Sequence, residues 1–168
     1  ITLSRAKLAR FHHNDVRHLE ELLKKNSAGR RLIVTESVFS MDGDQAPLPD
    51  LCAVAQRHGA MIFVDEAHAT GVFGPSGGGL VRQHGLESVV NISMGTLSKA
   101  LGSYGGFAAV SAPMRRLLRT TDSICGCTVS ARTPRLKSVL RKRNALSTLS
   151  FLSGAARWNS SASTRCSS

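Results

Sequence analysis

A chain of 168 residues, 42% of them hydrophobic, is long enough for one ordinary domain with a real core. Its 22 Lys and Arg against 11 Asp and Glu give a formal charge of +11, the kind of balance that attracts phosphate backbones. No apolar run approaches the ~20 residues of a membrane span, no opening stretch reads as a secretory leader, and the four Cys (52, 125, 127 and 166) form no C-x-x-C pair, so membrane-spanning, zinc-ribbon and disulfide-framework classes are excluded.

In chain order, Asn14 and Asp15 stand before Val16, Leu19, Leu22 and Leu23, apolar at helical spacing, with Lys24 and Lys25 closing the run and Gly29 beyond. That is a capped amphipathic helix. His12, His13 and His18 at its start lack a second ligand cluster and read as a solvated helix start, so no metal site is expected. "RLIVTES" (31–37) reads as a buried strand, Pro49 to His58 as a helix, and "AMIFVDE" (60–66) as the next strand. A glycine-rich loop (71–79), a short helix (80–84), a strand at "VVNISM" (89–94), a turn holding Lys99, a strand at 105–111 and a helix at 113–120 follow. Strands separated by helical crossovers imply an α/β fold with a parallel sheet covered on both faces, whose ligands sit at the carboxyl ends of the strands. Asp65 ends one strand and Lys99 follows another, so both are expected in one crevice.

The charge is uneven. Residues 1–112 hold 11 basic and 10 acidic side chains, and Asp122 is the only acid after Glu87. From Ser123 onward there are 11 Ser in 46 residues and no acid, a composition expected to stay disordered apart from a short helix at Val139 to Leu152. Two domain-level units follow from this break, a body at 1–121 and a basic Ser-rich tail at 122–168. No aromatic side chains alternate with the tail arginines as a single-strand nucleic-acid binder requires, so no nucleic-acid partner is expected.

Asp65-Glu66-Ala67-His68 behind an apolar strand also spells the metal-binding strand of DEAH-type nucleic-acid motors. Such a motor needs a phosphate-cradling G-x-x-x-x-G-K-[ST] loop, and none of the six lysines follows a glycine. Asp65, His68, Thr96 and Lys99 suit different chemistry. A lysine set in "MGTLSKALGSYGG", with hydroxyls before it and glycines after it, fits an amine approached closely by a bulky phosphorylated ring. Lys99, made reactive by desolvation and positive neighbours, could join the aldehyde of pyridoxal phosphate, with Thr96 and Ser98 on the phosphate. Asp65 could keep the ring nitrogen protonated, and His68 could orient the ring or its phenolic oxygen.

"TESVFSMDGDQAPLPDL", "VDEAHATGVFGPSGGGL" and "GTLSKALGSYGGFAAVSA" resemble, in order and spacing, consecutive motifs of the α-oxoamine synthases. These are fold-type I pyridoxal phosphate enzymes, and the likeness is greatest to the branch that serves biotin biosynthesis. It covers about residues 10–120. It implies a partial large domain of that fold, with a mostly parallel sheet and helices on both faces. The implied activity is condensation of L-alanine with a pimeloyl-type acyl-CoA, with loss of CO₂, by a homodimer whose site lies at the interface. Carried over by position, Lys99 is the lysine that holds the cofactor and moves the α-proton, Asp65 pairs with the pyridine nitrogen, His68 and Ser40 stand near the phenolic oxygen, and Thr96 contacts the phosphate. The family's chains begin before Ile1 and continue past the 113–120 helix, so this sequence is expected to be a piece of such an enzyme, its tail foreign to the family and its own activity an open matter. A sibling synthase using glycine or serine and a non-catalytic dimer partner stay open as alternatives. The cytoplasm is the default compartment, an organelle being compatible with a lost N-terminus.

Overall fold

A computed structural model describes residues 6–26, 29–120 and 129–131. The first helix, α1 (Val16–Lys25), starts where the Asp15 carboxylate accepts the His18 amide, and it places Lys24 and Lys25 at the negative end of the helix dipole. Its Leu19 and Leu23 are buried. The second, α2 (Leu48–Arg57), has a proline in its first turn, where a missing N–H costs nothing, and buries Leu48, Leu51, Cys52, Val54 and Ala55. Among the described residues a short helix α3 (Gly79–Gln83) and a helix α4 (Ala112–Thr120) follow.

The strands β1 (Leu32–Glu36), β2 (Met61–Asp65), β3 (Ile92–Thr96), β4 (Gly106–Val110) and β5 (Val129–Ala131) form one sheet in that order. The β1–β2, β2–β3 and β4–β5 pairs are parallel, and β3–β4 is antiparallel. Period-two alternation sends Ile33, Ile62 and Val64 into a core closed by α1, α2 and α3. Phe63, Ile92, Ala108 and Val110 meet Met114 and Leu118 of α4 in a second, smaller cluster. Among the described residues no helix is long and apolar enough to cross a membrane.

Two sequence expectations are corrected. The strand placed at 89–94 begins at Ile92 and extends to Thr96. The Val89 and Val90 amides close a turn on the Leu86 carbonyl instead, and Asn91 docks on β2 through its side chain, which accepts the Ile62 amide at 2.8 Å. The sheet is mostly parallel, as expected, and the exception falls between β3 and β4. Only residues 97–105 join it to β3, too short for the dozen or more residues of a parallel crossover, so the chain returns antiparallel. Within the segment expected to lack order, Val129–Ala131 pairs with β4. The rest of that segment, including the expected helix at 139–152, lies outside the described residues.

Candidate active site

The carboxyl ends of β1, β2 and β3 lie side by side, Glu36 opposite Asp65 and Asp65 opposite Met94. Asp65 is half-buried there, one carboxylate oxygen accepting the Ala67 amide at 2.8 Å. Burial pushes its carboxyl above the usual carboxylate range; the Ala67 amide pulls it back, the neighbouring Glu36 charge pushes it up again, and Lys99 and His68 draw it down. The net direction is up, so Asp65 holds a proton more readily than an exposed aspartate does.

Beyond Asp65 the backbone folds at once into a tight turn, with the Ala69 and Thr70 amides and the Thr70 hydroxyl all on the Glu66 carbonyl. The turn presents His68 beside Lys99, Nε2 to Nζ at 2.7 Å. A charged lysine has three donors and no acceptor, so in that state Lys99 donates and His68 accepts on Nε2. Lys99 rides a second turn, closed by Gly102 N–H on the Lys99 carbonyl and Ser103 N–H on the Leu97 carbonyl. At the foot of that turn the Thr96 hydroxyl donates to the Gly105 carbonyl at 3.1 Å and receives the Ser98 hydroxyl at 2.8 Å and the Ser98 amide at 3.2 Å.

Asp65, His68 and Lys99 therefore converge, with Thr96 two residues past Met94 on the neighbouring strand. Lys99 is exposed, so the desolvation expected from its motif is not supplied by the described residues, and its close polar neighbour is an imidazole. Ser40 stands further off in the hairpin that pairs Val38 with Gln45, and its amide donates to Glu36 Oε2 at 3.2 Å.

Two acids escaped the sequence reading. Glu36 ends the strand beside Asp65, and aligning "TES" with "VDE" as neighbouring strand ends is the signal that would have shown it. Glu66 is buried on the core side, accepting the Val81 amide and the Ser93 hydroxyl, each at 2.9 Å. Gly95 is required in β3 because a Cβ there would stand 2.6 Å from Thr70 Oγ1 and 2.4 Å from Phe107 Cζ. Of the helix-start histidines, His18 accepts the His12 amide and His13 pairs with Asp44 at 2.7 Å; with Asp42 they form a cluster at the protein surface.

A mostly parallel α/β sheet with an amine, an imidazole, a half-buried carboxyl and two hydroxyls along one strand-end edge has the architecture of the fold-type I class. The chain belongs to the aminotransferase class I and II family, which it matches over residues 1–148. It is 56% identical over 107 residues to an 8-amino-7-oxononanoate synthase of Anaeromyxobacter sp. strain Fw109-5, a match that takes in 64% of this chain and 27% of that protein. It superposes on a serine palmitoyltransferase of Sphingomonas wittichii with a TM-score of 0.65 at 44% identity, over 69% of this chain and 29% of that one. A structure of SPT with PLP as internal aldimine gives the same score at 43% identity, over 69% and 29% of the two chains. The chain thus spans under a third of the length of these relatives.

Proposed function

We propose that this chain forms the cofactor-holding part of a pyridoxal phosphate-dependent C-acyltransferase that condenses L-alanine with a pimeloyl-type acyl-CoA, releasing CO₂ and CoA. The observation that carries the reading is the Lys99–His68 contact of 2.7 Å beside a half-buried Asp65 at the strand ends. The 56% identity to an 8-amino-7-oxononanoate synthase supports the substrate pair, and the likeness to SPT solved with PLP supports the cofactor.

The donor set fits the group chemically. Lys99 offers the amine that would take the aldehyde, Asp65 a carboxyl suited to share a proton with a pyridine nitrogen, and Thr96 and Ser98 two hydroxyls for the phosphate. When bound, pyridoxal phosphate supplies an electron sink for the pair left on the substrate α-carbon. Lys99 would be the base that takes the proton from that carbon and the acid that returns it. His68, 2.7 Å from Lys99, holds the amine in place and would stand near the phenolic oxygen. Ser40 would stand near the phenolic oxygen beside His68. A homodimer with the site at its interface and a cytoplasmic address complete the reading, with residues 1–121 as a piece of the large domain.

A sibling activity is the second reading, favoured by the serine palmitoyltransferase neighbours, in which L-serine replaces L-alanine and a longer acyl chain replaces the pimeloyl group. An absorbance titration of the chain with pyridoxal phosphate, beside Lys99→Ala, tests the common part. A near-visible band present only with Lys99 is the expected result; identical spectra, both matching free cofactor, would sink the assignment. CoA release with L-alanine and pimeloyl-CoA against L-serine and palmitoyl-CoA then separates the two syntheses.

A further inference from the structure

We propose that Glu36 is a positioning residue of the cofactor site, one that holds the Ser40 amide and sets a second negative charge beside Asp65. The inference rests on the pyridoxal phosphate reading above, which assigns work to Asp65 and Ser40 but none to Glu36. The β1–β2 register brings Glu36 and Asp65 level at the carboxyl ends of adjacent parallel strands, the two strand-end acids of the sheet edge where Lys99 and His68 meet. Glu36 Oε2 accepts the Ser40 amide at 3.2 Å, so one side chain touches the hairpin bearing Ser40 and faces Asp65 at once.

The charged groups around Asp65 come from three elements. Glu36 approaches from β1, His68 from the turn after β2, and Lys99 from the turn after β3. Lys99 and His68 favour the ionised Asp65, and Glu36 opposes them. With Glu36 present, a proton shared between Asp65 and a cationic partner is retained to higher pH, because two carboxylates a strand apart resist carrying two bare charges. The same carboxylate fixes Ser40, whose exposed hairpin is otherwise tied to β1 and β2 by the Ala46 amide on the Ser37 carbonyl and the Ser37 amide on the Asp65 carbonyl. Glu36 therefore couples the proton position at one end of the site to the hydroxyl position at the other.

Two substitutions pull these roles apart. Glu36→Gln keeps an oxygen acceptor for Ser40 and removes the charge; Glu36→Asp keeps the charge and falls one methylene short of Ser40. The Asp65 carboxyl is followed by ¹³C NMR in the full chain without cofactor, its signal assigned through Asp65→Asn, and pyridoxal phosphate affinity is read from the near-visible band. In Glu36→Gln the Asp65 midpoint is expected to move to lower pH, while in Glu36→Asp it stays near the parent value and cofactor affinity falls about threefold to tenfold, the worth of one hydrogen bond. An unmoved Asp65 midpoint in Glu36→Gln overturns the proposal, as does unchanged affinity in Glu36→Asp; a purely structural Glu36 would lower the melting midpoint of both variants and leave the Asp65 titration where it was. If the parent chain gives no band at all, the cofactor reading fails, and the Asp65 midpoint still decides whether Glu36 acts on Asp65.

Discussion

At the scale of single residues, the site trades stability for chemistry at Asp65. Burial raises its carboxyl pKa above that of the unfolded chain, so the native state binds the proton more tightly than the unfolded state does. The contribution of Asp65 to stability is therefore fully present at low pH, where it is neutral in both states, and is lost as pH rises from the unfolded carboxylate pKa through the raised native one. Asp65→Asn removes the ionisation and is expected to raise the melting temperature at pH 7, with the gain shrinking toward pH 4; it should also abolish the pyridoxal phosphate band. Melting curves at the two pH values check the first part, and a variant less stable at pH 7 than its parent would contradict it. Asp65, His68 and Lys99 were legible as a set because local motifs carry each of them and the strand-end rule joins them. Glu36 was missed, although both strand ends were readable, because its pairing with Asp65 is set by the β1–β2 register and not by their separation along the chain.

Among the elements, the turn that presents His68 is anchored from behind by Glu66. Its buried carboxylate bridges the start of α3 and the middle of β3, and α3 begins at Gly79, whose φ is +87°. A Cβ at Gly79 would stand 2.5 Å from Glu66 Oε1, so Gly79→Ala meets both an unfavourable backbone and a buried carboxyl oxygen. A loss of about 2–4 kcal/mol is expected, read as a lower urea midpoint with unchanged slope. The glycine-rich loop was visible in the sequence as a loop; that one of its glycines, Gly79, makes room for the carboxyl of Glu66, thirteen positions earlier, was not. Likewise the apolar run "VVNISM" announced a strand but not its start. Val90 is buried in the core that α1, α2 and α3 close, and Ile92 belongs to the cluster under α4, so a run that looks continuous serves two faces. Asn14, at φ +55°, holds its left-handed backbone where its side chain donates to Asp44 at 2.8 Å, tying the helix start to the Ser40 hairpin.

Across the whole molecule the two sheet faces are unequally covered. The face with α1, α2 and α3 is closed, whereas on the other Leu32 is 51% and Val34 39% exposed along β1, which among the described residues pairs on one side only. An open edge strand carrying apolar side chains is a template for association. Leu32→Lys is expected to reduce concentration-dependent light scattering of the chain while shifting its stability by less than about 0.5 kcal/mol. Equal scattering by the two proteins would show that the β1 face does not mediate association.

The sequence by itself determined the elements of the body, the family motifs and the three groups at the strand ends, since helix periodicity, caps and strand-end acids are local properties written within a dozen residues. It also carried the composition break that separates a near-neutral body from a basic tail. Only the tertiary structure decided the antiparallel return of β4, the pairing of Lys99 with His68, the exposure of Lys99 and the placing of Glu36 beside Asp65. Each of these depends on register and on which chain segments come to share a strand edge, and such distances are set by the packed sheet, whose contacts join residues far apart in the chain.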